Sequence, residues 1–329
     1  IQYFGTSVYL GLAAIMFACL FSDGDLVRLA FLRRAYLLAA MIATVAGYVG
    51  FFHLLPGYEH FVIASEGESA RVSATFKDPN VYGPFVVFPL LMLILAFLTR
   101  RITWVGLLIT GFLLGGLFLS FSRGAWIHFV VSALCVIAIL YSATPNPRMR
   151  RHIVALGIFT LLAAALFVIA LSSIGSVHDM FVERAKAIQP YDVGPGGRFT
   201  LQELALTTIL GHPNGLGPFE FARIFGGQQH DVYMQGLLVY GWLGGIAYLL
   251  IVMTTLGLGL RTVRVPTPWH IYLIAAYGCF VGETVEGLFI DTDHWRHFFL
   301  MVGLVWGLSV ATINDRRRQT FEAMAAATT

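Results

Sequence analysis

The sequence predicts an all-α polytopic membrane protein, and three observations carry that prediction. Of its 329 residues, 57% are hydrophobic and only 12% are charged, against about 25% charged in an ordinary soluble protein. Mean hydropathy is +0.76. The apolar stretches reach the roughly 20 residues a helix needs to cross a bilayer, whereas membrane β-barrel strands alternate weakly over about ten. A soluble globular domain is excluded, because so little charge cannot furnish its polar shell.

Nine apolar stretches follow in order, near 3–22, 35–55, 81–99, 102–121, 125–142, 153–173, 232–258, 270–288 and 297–313. The fourth and fifth are separated only by Ser122-Arg123-Gly124, which predicts a tight helical hairpin. Orientation follows from the basic residues. Arg28, Arg33, Arg34, Arg100, Arg101, Arg148, Arg150, Arg151, Arg261, Arg264, Arg316, Arg317 and Arg318 occupy alternate connections and the tail, with only Asp23, Asp25, Asp315 and Glu322 beside them. That side is expected to be cytoplasmic, with Ile1 outside and Thr329 inside. An odd number of helices is expected to precede Ile1 in the intact protein, and no cleavable signal peptide is visible. Cys19, Cys135 and Cys279 all lie in apolar runs and read as small hydrophobes.

One membrane domain is expected over 1–329, with two long loops facing out, at 56–80 and 174–231. Structureless loops longer than about 15 residues are uncommon and tend to be functional. The longer one has helical patterns at 180–188 and 199–210, interrupted by Pro190 and by Gly194-Pro195-Gly196-Gly197. It reads as a small helical subdomain lying over the membrane.

Ionisable groups near membrane depth are costly and mark candidate sites. Arg123, in the hairpin turn, runs against the positive-inside tendency. A fixed guanidinium there suits a bidentate grip on phosphate, or a snorkelling anchor for lipid headgroups. Arg198 opens the helix at 199–210, where a helix N-terminus attracts anions, although a solvated loop arginine reads the same way. His230, at the mouth of the seventh stretch, can accept a proton near neutral pH, or be structural. The run Gly211-His212-Pro213-Asn214-Gly215-Leu216-Gly217 offers backbone amides for an anion nest and is equally a turn. Asp78-Pro79-Asn80 is a plausible helix cap, with Lys77 beside it as a candidate anion contact. Asp291-Thr292-Asp293-His294-Trp295-Arg296-His297 reads chiefly as a polar rim or acceptor-binding surface. It is also the one outer loop where a metal set (Asp293, His294, His297) or an Asp-x-Asp pair can be drawn.

Five motifs occur in a fixed order: Thr75-Phe76-Lys77-Asp78-Pro79-Asn80, Ser122-Arg123-Gly124-Ala125, Gly197-Arg198, Gly215-Leu216-Gly217, and His230 followed by Tyr240-Gly241. Together they resemble the O-antigen ligase family (Wzy-C superfamily), over residues 70–313. The resemblance implies a GT-C-like helical fold in the bacterial inner membrane with a large periplasmic loop. It implies a glycosyltransferase of lipopolysaccharide or polysaccharide biosynthesis that moves a glycan from undecaprenyl diphosphate to an acceptor hydroxyl. The acceptor is lipid A-core in a ligase, a growing chain in a polymerase, or a protein in other members. By the same resemblance Arg123 and Arg198 hold the diphosphate and His230 activates the acceptor. Lys77, Asn80, His212, Gly215, Gly217, Asp293, His294 and Arg296 are expected to contact substrate. The reaction is expected to be inverting and to use neither metal nor cofactor, and no nucleic-acid partner is expected. Where the family usually has His-Asn, this chain has His230-Asp231. A transporter would instead place charges at mid-membrane; here Glu283 and Glu286 are the only acids within a stretch, near its outer end. A scaffold in a polysaccharide assembly complex would not need the two arginines and the histidine.

Overall fold

The computed structural model describes residues 2–63, 70–99, 101, 103–173, 175, 178, 181–182, 194 and 196–328. It is 79% helical, with eleven α-helices. These are α1 (Gln2–Phe21), α2 (Leu26–Phe51), α3 (Pro79–Leu98), α4 (Trp104–Leu119), α5 (Arg123–Ala143), α6 (Pro147–Ser172), α7 (Arg198–Gly211), α8 (Glu220–Phe225), α9 (Val232–Thr262), α10 (His270–Glu286) and α11 (Arg296–Thr328). Each predicted apolar stretch falls on one of α1–α6 or α9–α11. Among the described residues, seven helices are long and apolar enough to cross a membrane; α4 and α10, with 16 and 17 residues, are shorter. The chain is an all-α polytopic membrane protein. The helix expected over 199–210 is α7, while most of the pattern at 180–188, with Pro190 and Pro195, lies outside the described residues, as does Arg100.

Two boundaries differ from the sequence reading. α2 begins at Leu26 rather than near 35, so Arg28, Arg33 and Arg34 lie on the helix and not before it. Asp25 is the cause: its carboxylate caps the helix, accepting from the backbone N–H of Val27 (2.7 Å) and Arg28 (3.3 Å). Arg28 then folds back onto Asp23 and Asp25. α11 runs on past 313, so the arginines expected in a tail are helical. There Arg318 pairs with Glu322 (2.8 Å) one turn on.

Small residues set the helix packing. Gly303 and Gly307 of α11 meet Ala14, Phe17 and Ala18 of α1, with the two helices parallel. Gly278 and Gly282 of α10 meet Ser132, Val136 and His128 of the antiparallel α5. Glycines four apart let helix backbones approach closely, which drives association where lipid removes the hydrophobic term. The turn before α2 packs at Gly24 on Trp269, just ahead of α10.

At the opposite end of the bundle, two short pieces add to the helices. β1 (Val62–Ile63) pairs antiparallel with β2 (Arg71–Val72), which fixes Arg71. α7 lays Leu201, Ala205 and Ile209, one helical stripe, on Phe221 and on Leu238 of α9. The register of this attachment is set by two backbones that exchange hydrogen bonds. α9 is kinked at Gly241 (φ 69°, ψ −174°). The Trp242 N–H, which an unbroken helix would aim at Leu238, donates instead to the Pro213 carbonyl (2.9 Å), and the freed Leu238 carbonyl accepts from the Leu216 N–H (2.6 Å). Gly215 and Gly241 touch backbone to backbone across this junction.

Candidate active site

A cavity of about 1130 Å³ opens at this end, between the N-termini of α5, α7 and α9 and the loop joining α10 to α11. Arg123, Arg198 and His230 all line it. Each is delivered by a helix start. Arg123 is the first residue of α5, after Ser122, whose hydroxyl accepts from the Ala125 N–H (3.3 Å). Arg198 is the first residue of α7, after the extended Gly197. His230 precedes Asp231, whose carboxylate accepts from the Tyr233 and Met234 N–H groups (2.9 Å each). Asp231 is therefore the helix cap of α9. Burial pushes its carboxyl above the usual range against the two backbone donors, and the charge of Asp291 adds to the rise.

His230 has φ 53°. A left-handed backbone costs a non-glycine residue about 1–2 kcal/mol, and such strain clusters at functional sites. The turn is held by Gln229, buried, whose amide donates to Gln235 (2.9 Å) and to the Asp231 carbonyl (3.3 Å). The Val232 N–H donates to the Gly287 carbonyl (2.9 Å), binding the start of α9 to the end of α10. This brings Asp291 to the cavity, with Oδ2 3.7 Å from His230 Nδ1. That is ion-pair range but longer than a hydrogen bond.

The structure adds a third arginine. Arg71 lines the cavity, donating to the Ser120 carbonyl (3.2 Å) and to Asn80 Oδ1 (3.1 Å). Its sequence signal was an arginine on the arginine-poor side; Asp291 had no signal as a partner of His230, because the contact exists only in three dimensions. Among the described lining residues, three arginines and one histidine face two carboxylates, Asp78 and Asp291. Such a wall favours an anion. Phe121, Trp126, Phe181, Phe199 and Phe289 supply its apolar part.

The remaining expected contacts divide. Asn80 lines the cavity, and Asp78 caps α3 through the Asn80 N–H (2.7 Å) as expected. Lys77 is exposed and lies outside the lining. His212, at the end of α7, is exposed with Nδ1 2.9 Å from the Thr208 carbonyl. Two of the amides expected to form an anion nest are used inside the protein: Gly215 N–H donates to the His212 carbonyl (2.9 Å) and Leu216 N–H to the Leu238 carbonyl. Gly215 serves the junction with α9, a Cβ on Gly217 would meet nothing within 4 Å, and neither glycine lines the cavity. Asp293 accepts from the Tyr3 hydroxyl (2.9 Å) and contacts His294 Nδ1 (2.9 Å), fastening the start of α1. Burial alone would lower the His294 imidazole, but the hydrogen bond and charge of Asp293 and the Tyr3 carbonyl outweigh it and raise it. Arg296 is exposed, and His297 turns to Glu283 (3.5 Å). Asp293 and His294 thus pair with each other and His297 with Glu283, and among the described residues no group of three or more His, Cys, Asp or Glu side chains is arranged to hold a metal.

No protein-family profile matches the chain, and a search of curated proteins returns no significant match. The resemblance to the O-antigen ligases rests on the five motifs themselves.

Proposed function

We propose that the protein is a membrane glycosyltransferase of the O-antigen ligase type, working at the periplasmic face of the bacterial inner membrane. In this reading α4 and α10 also span, giving nine crossings of a GT-C-like bundle with the arginine-rich end in the cytoplasm. The observation that carries the proposal is the convergence of Arg123, Arg198 and His230 on one cavity from three helix starts far apart in sequence.

The chemistry follows from the groups present. The donor is a glycan on undecaprenyl diphosphate. The acceptor oxygen forms a bond to the anomeric carbon as the bond from that carbon to the phosphate oxygen breaks, with inversion. The acceptor proton passes to His230, and the electron pair leaves with the diphosphate. Arg123 and Arg198, with Arg71 beside them, stabilise the charge that develops on the leaving group, where fixed donors need no reorganisation. Asp291 orients His230 and balances its charge once it is protonated. The Lys77 and His212 side chains have no role in this scheme.

The test is transfer by purified protein in proteoliposomes, with lipid-linked glycan and with lipid A-core present or omitted. Glycosylated lipid A-core marks a ligase, and extended glycan on the carrier marks a polymerase. Binding of the lipid-linked donor with no transfer to either acceptor refutes the assignment.

A further inference from the structure

Four titratable side chains meet in the packed interior behind the cavity, and the chemistry proposed above uses none of them. His128 of α5 and Glu283 and Glu286 of α10 are each 0% exposed, and His297 of α11 is 6% exposed. Ionisable residues buried at membrane depth are expensive to charge and are by default functional.

Hydrogen-bond chemistry fixes the proton count of one pair. His128 Nε2 lies 3.1 Å from the Cys279 carbonyl oxygen, which can only accept, so Nε2 carries a hydrogen. His128 Nδ1 lies 2.9 Å from Glu286 Oε2. One proton sits in that contact whichever atom owns it: a carboxylic acid donates to bare Nδ1, or an imidazolium donates to a carboxylate. Both arrangements are neutral. Without the proton, a nitrogen lone pair faces a carboxylate at hydrogen-bond distance, and the pair carries a full negative charge.

The position of this pair is specific. The second carboxyl oxygen of Glu286, Oε1, has no hydrogen-bond partner. It is aimed at the cavity wall, because a Cβ on Gly124 would come within 2.9 Å of it. Gly124 lines the cavity next to Arg123. Only a residue without a side chain lets the carboxyl sit this close behind the wall.

We propose that Glu286 and His128 form an intramembrane proton-binding site behind the cavity wall, and that loss of its proton weakens anion binding in the cavity. The inference rests on the reading of the cavity as an anion site. An anion in the cavity favours the neutral, proton-bearing pair, and by reciprocity the proton favours the anion. As pH rises through the pair's titration, a negative charge appears behind Arg123 and affinity falls. For a unit charge on the order of 10 Å away, an effective dielectric of about 20 gives a change in affinity on the order of tenfold. The groups facing the pair are Cys279 and Glu283 on α10 and His297 on α11, while Arg123, next to Gly124 in the chain, lines the cavity side of the wall. Tyr36 of α2 and Tyr248 of α9 stand within electrostatic reach of Glu283.

The experiment uses the full chain in lipid nanodiscs with His230→Gln as the parent, so that the cavity histidine does not titrate. The probe is a short-chain prenyl-diphosphate-linked sugar, a diester whose charge is constant from neutral to alkaline pH. Its Kd is expected to rise on the order of tenfold across that range in the parent. In Glu286→Gln, uncharged and of the same shape, the neutral-pH affinity is retained and the rise disappears. Calorimetry of the parent in two buffers of different ionisation enthalpy needs no second variant. It is expected to show proton uptake on binding at alkaline pH. The proposal is overturned if the parent shows no rise, if Glu286→Gln shows the same rise, or if no proton is taken up. Absence of binding at every pH overturns the anion-site reading, and this inference with it.

Discussion

Gly241→Ala isolates the junction between α9 and the turn that follows α7. The native backbone there, φ 69° and ψ −174°, belongs to a region open essentially to glycine alone, and a residue with a Cβ is strained by about 1–3 kcal/mol. The added Cβ would also stand 2.5 Å from the Pro213 carbonyl oxygen, 2.6 Å from the Asn214 carbonyl carbon and 2.9 Å from the Gly215 nitrogen. All three are backbone atoms that no rotamer change can move, so an overpacking cost of about 1–3 kcal/mol is added. The expected destabilisation is therefore about 2–6 kcal/mol, relieved only if the turn detaches and Trp242 N–H returns to Leu238. Detachment would move α7, with Arg198 at its start, away from α9, with His230 at its start. The assay is thermal unfolding of purified protein together with binding of a lipid-linked donor. Gly257→Ala serves as control, since its Cβ on the same helix meets nothing within 4 Å. If Gly241→Ala and Gly257→Ala melt within about 0.5 kcal/mol of each other, a typical surface-substitution effect, the junction does not hold the site together.

Other outcomes are expected on the same grounds. Arg123→Lys and Arg198→Lys should each cut transfer by about 10²–10³, as for loss of one donor to a developing oxyanion, because lysine lacks the bidentate fork; near-normal turnover in Arg123→Ala would make it a lipid anchor. Asp231→Ala should cost about 1 kcal/mol of stability through loss of the α9 cap while Asp231→Asn largely preserves it, as read by chemical unfolding; equal losses would remove the capping explanation. The His294 imidazole is raised in the folded chain, so its contribution to stability is full below the unfolded value near 6.5. That contribution fades as pH rises through the raised value, and His294→Gln should flatten this window of the stability profile. A profile unchanged by the substitution would mean that the contact with Asp293 does not hold α1.

Much of the architecture was written in local sequence. Apolar length alone located the helices, and Pro79 and Pro147 sit at helix starts where a missing N–H is harmless. The start of α2 was hidden because Arg33 and Arg34 interrupt the apolar run, while the carboxylate that begins the helix, Asp25, lies well before them. In the cavity, Arg123, Arg198 and His230 were legible because charge beside a membrane span demands a reason. The Gly215 and Leu216 amides were harder to read for the opposite cause: free amides in a turn look the same whether they will meet an anion or a second backbone. Nothing local distinguishes Leu216 donating to Leu238 from Leu216 donating to phosphate. Arg71 and Asp291 enter the site through a two-residue hairpin and an interhelix backbone bond, contacts that exist only once the bundle is assembled.

The shortness of α4 has a consequence for the lipid around it. Sixteen residues make a rod of about 24 Å, against a hydrocarbon layer of about 30 Å. The turn that follows, Ser120, Phe121 and Ser122, is almost wholly enclosed by protein, so it cannot reach up to close the gap. On the nine-crossing reading proposed above, the bilayer would dip toward Arg123, by about 6 Å if the other end of α4 stays level. A polar headgroup drifting in the leaflet would meet a depression at this spot, and sliding downhill into it would carry the headgroup to the arginines without leaving the membrane.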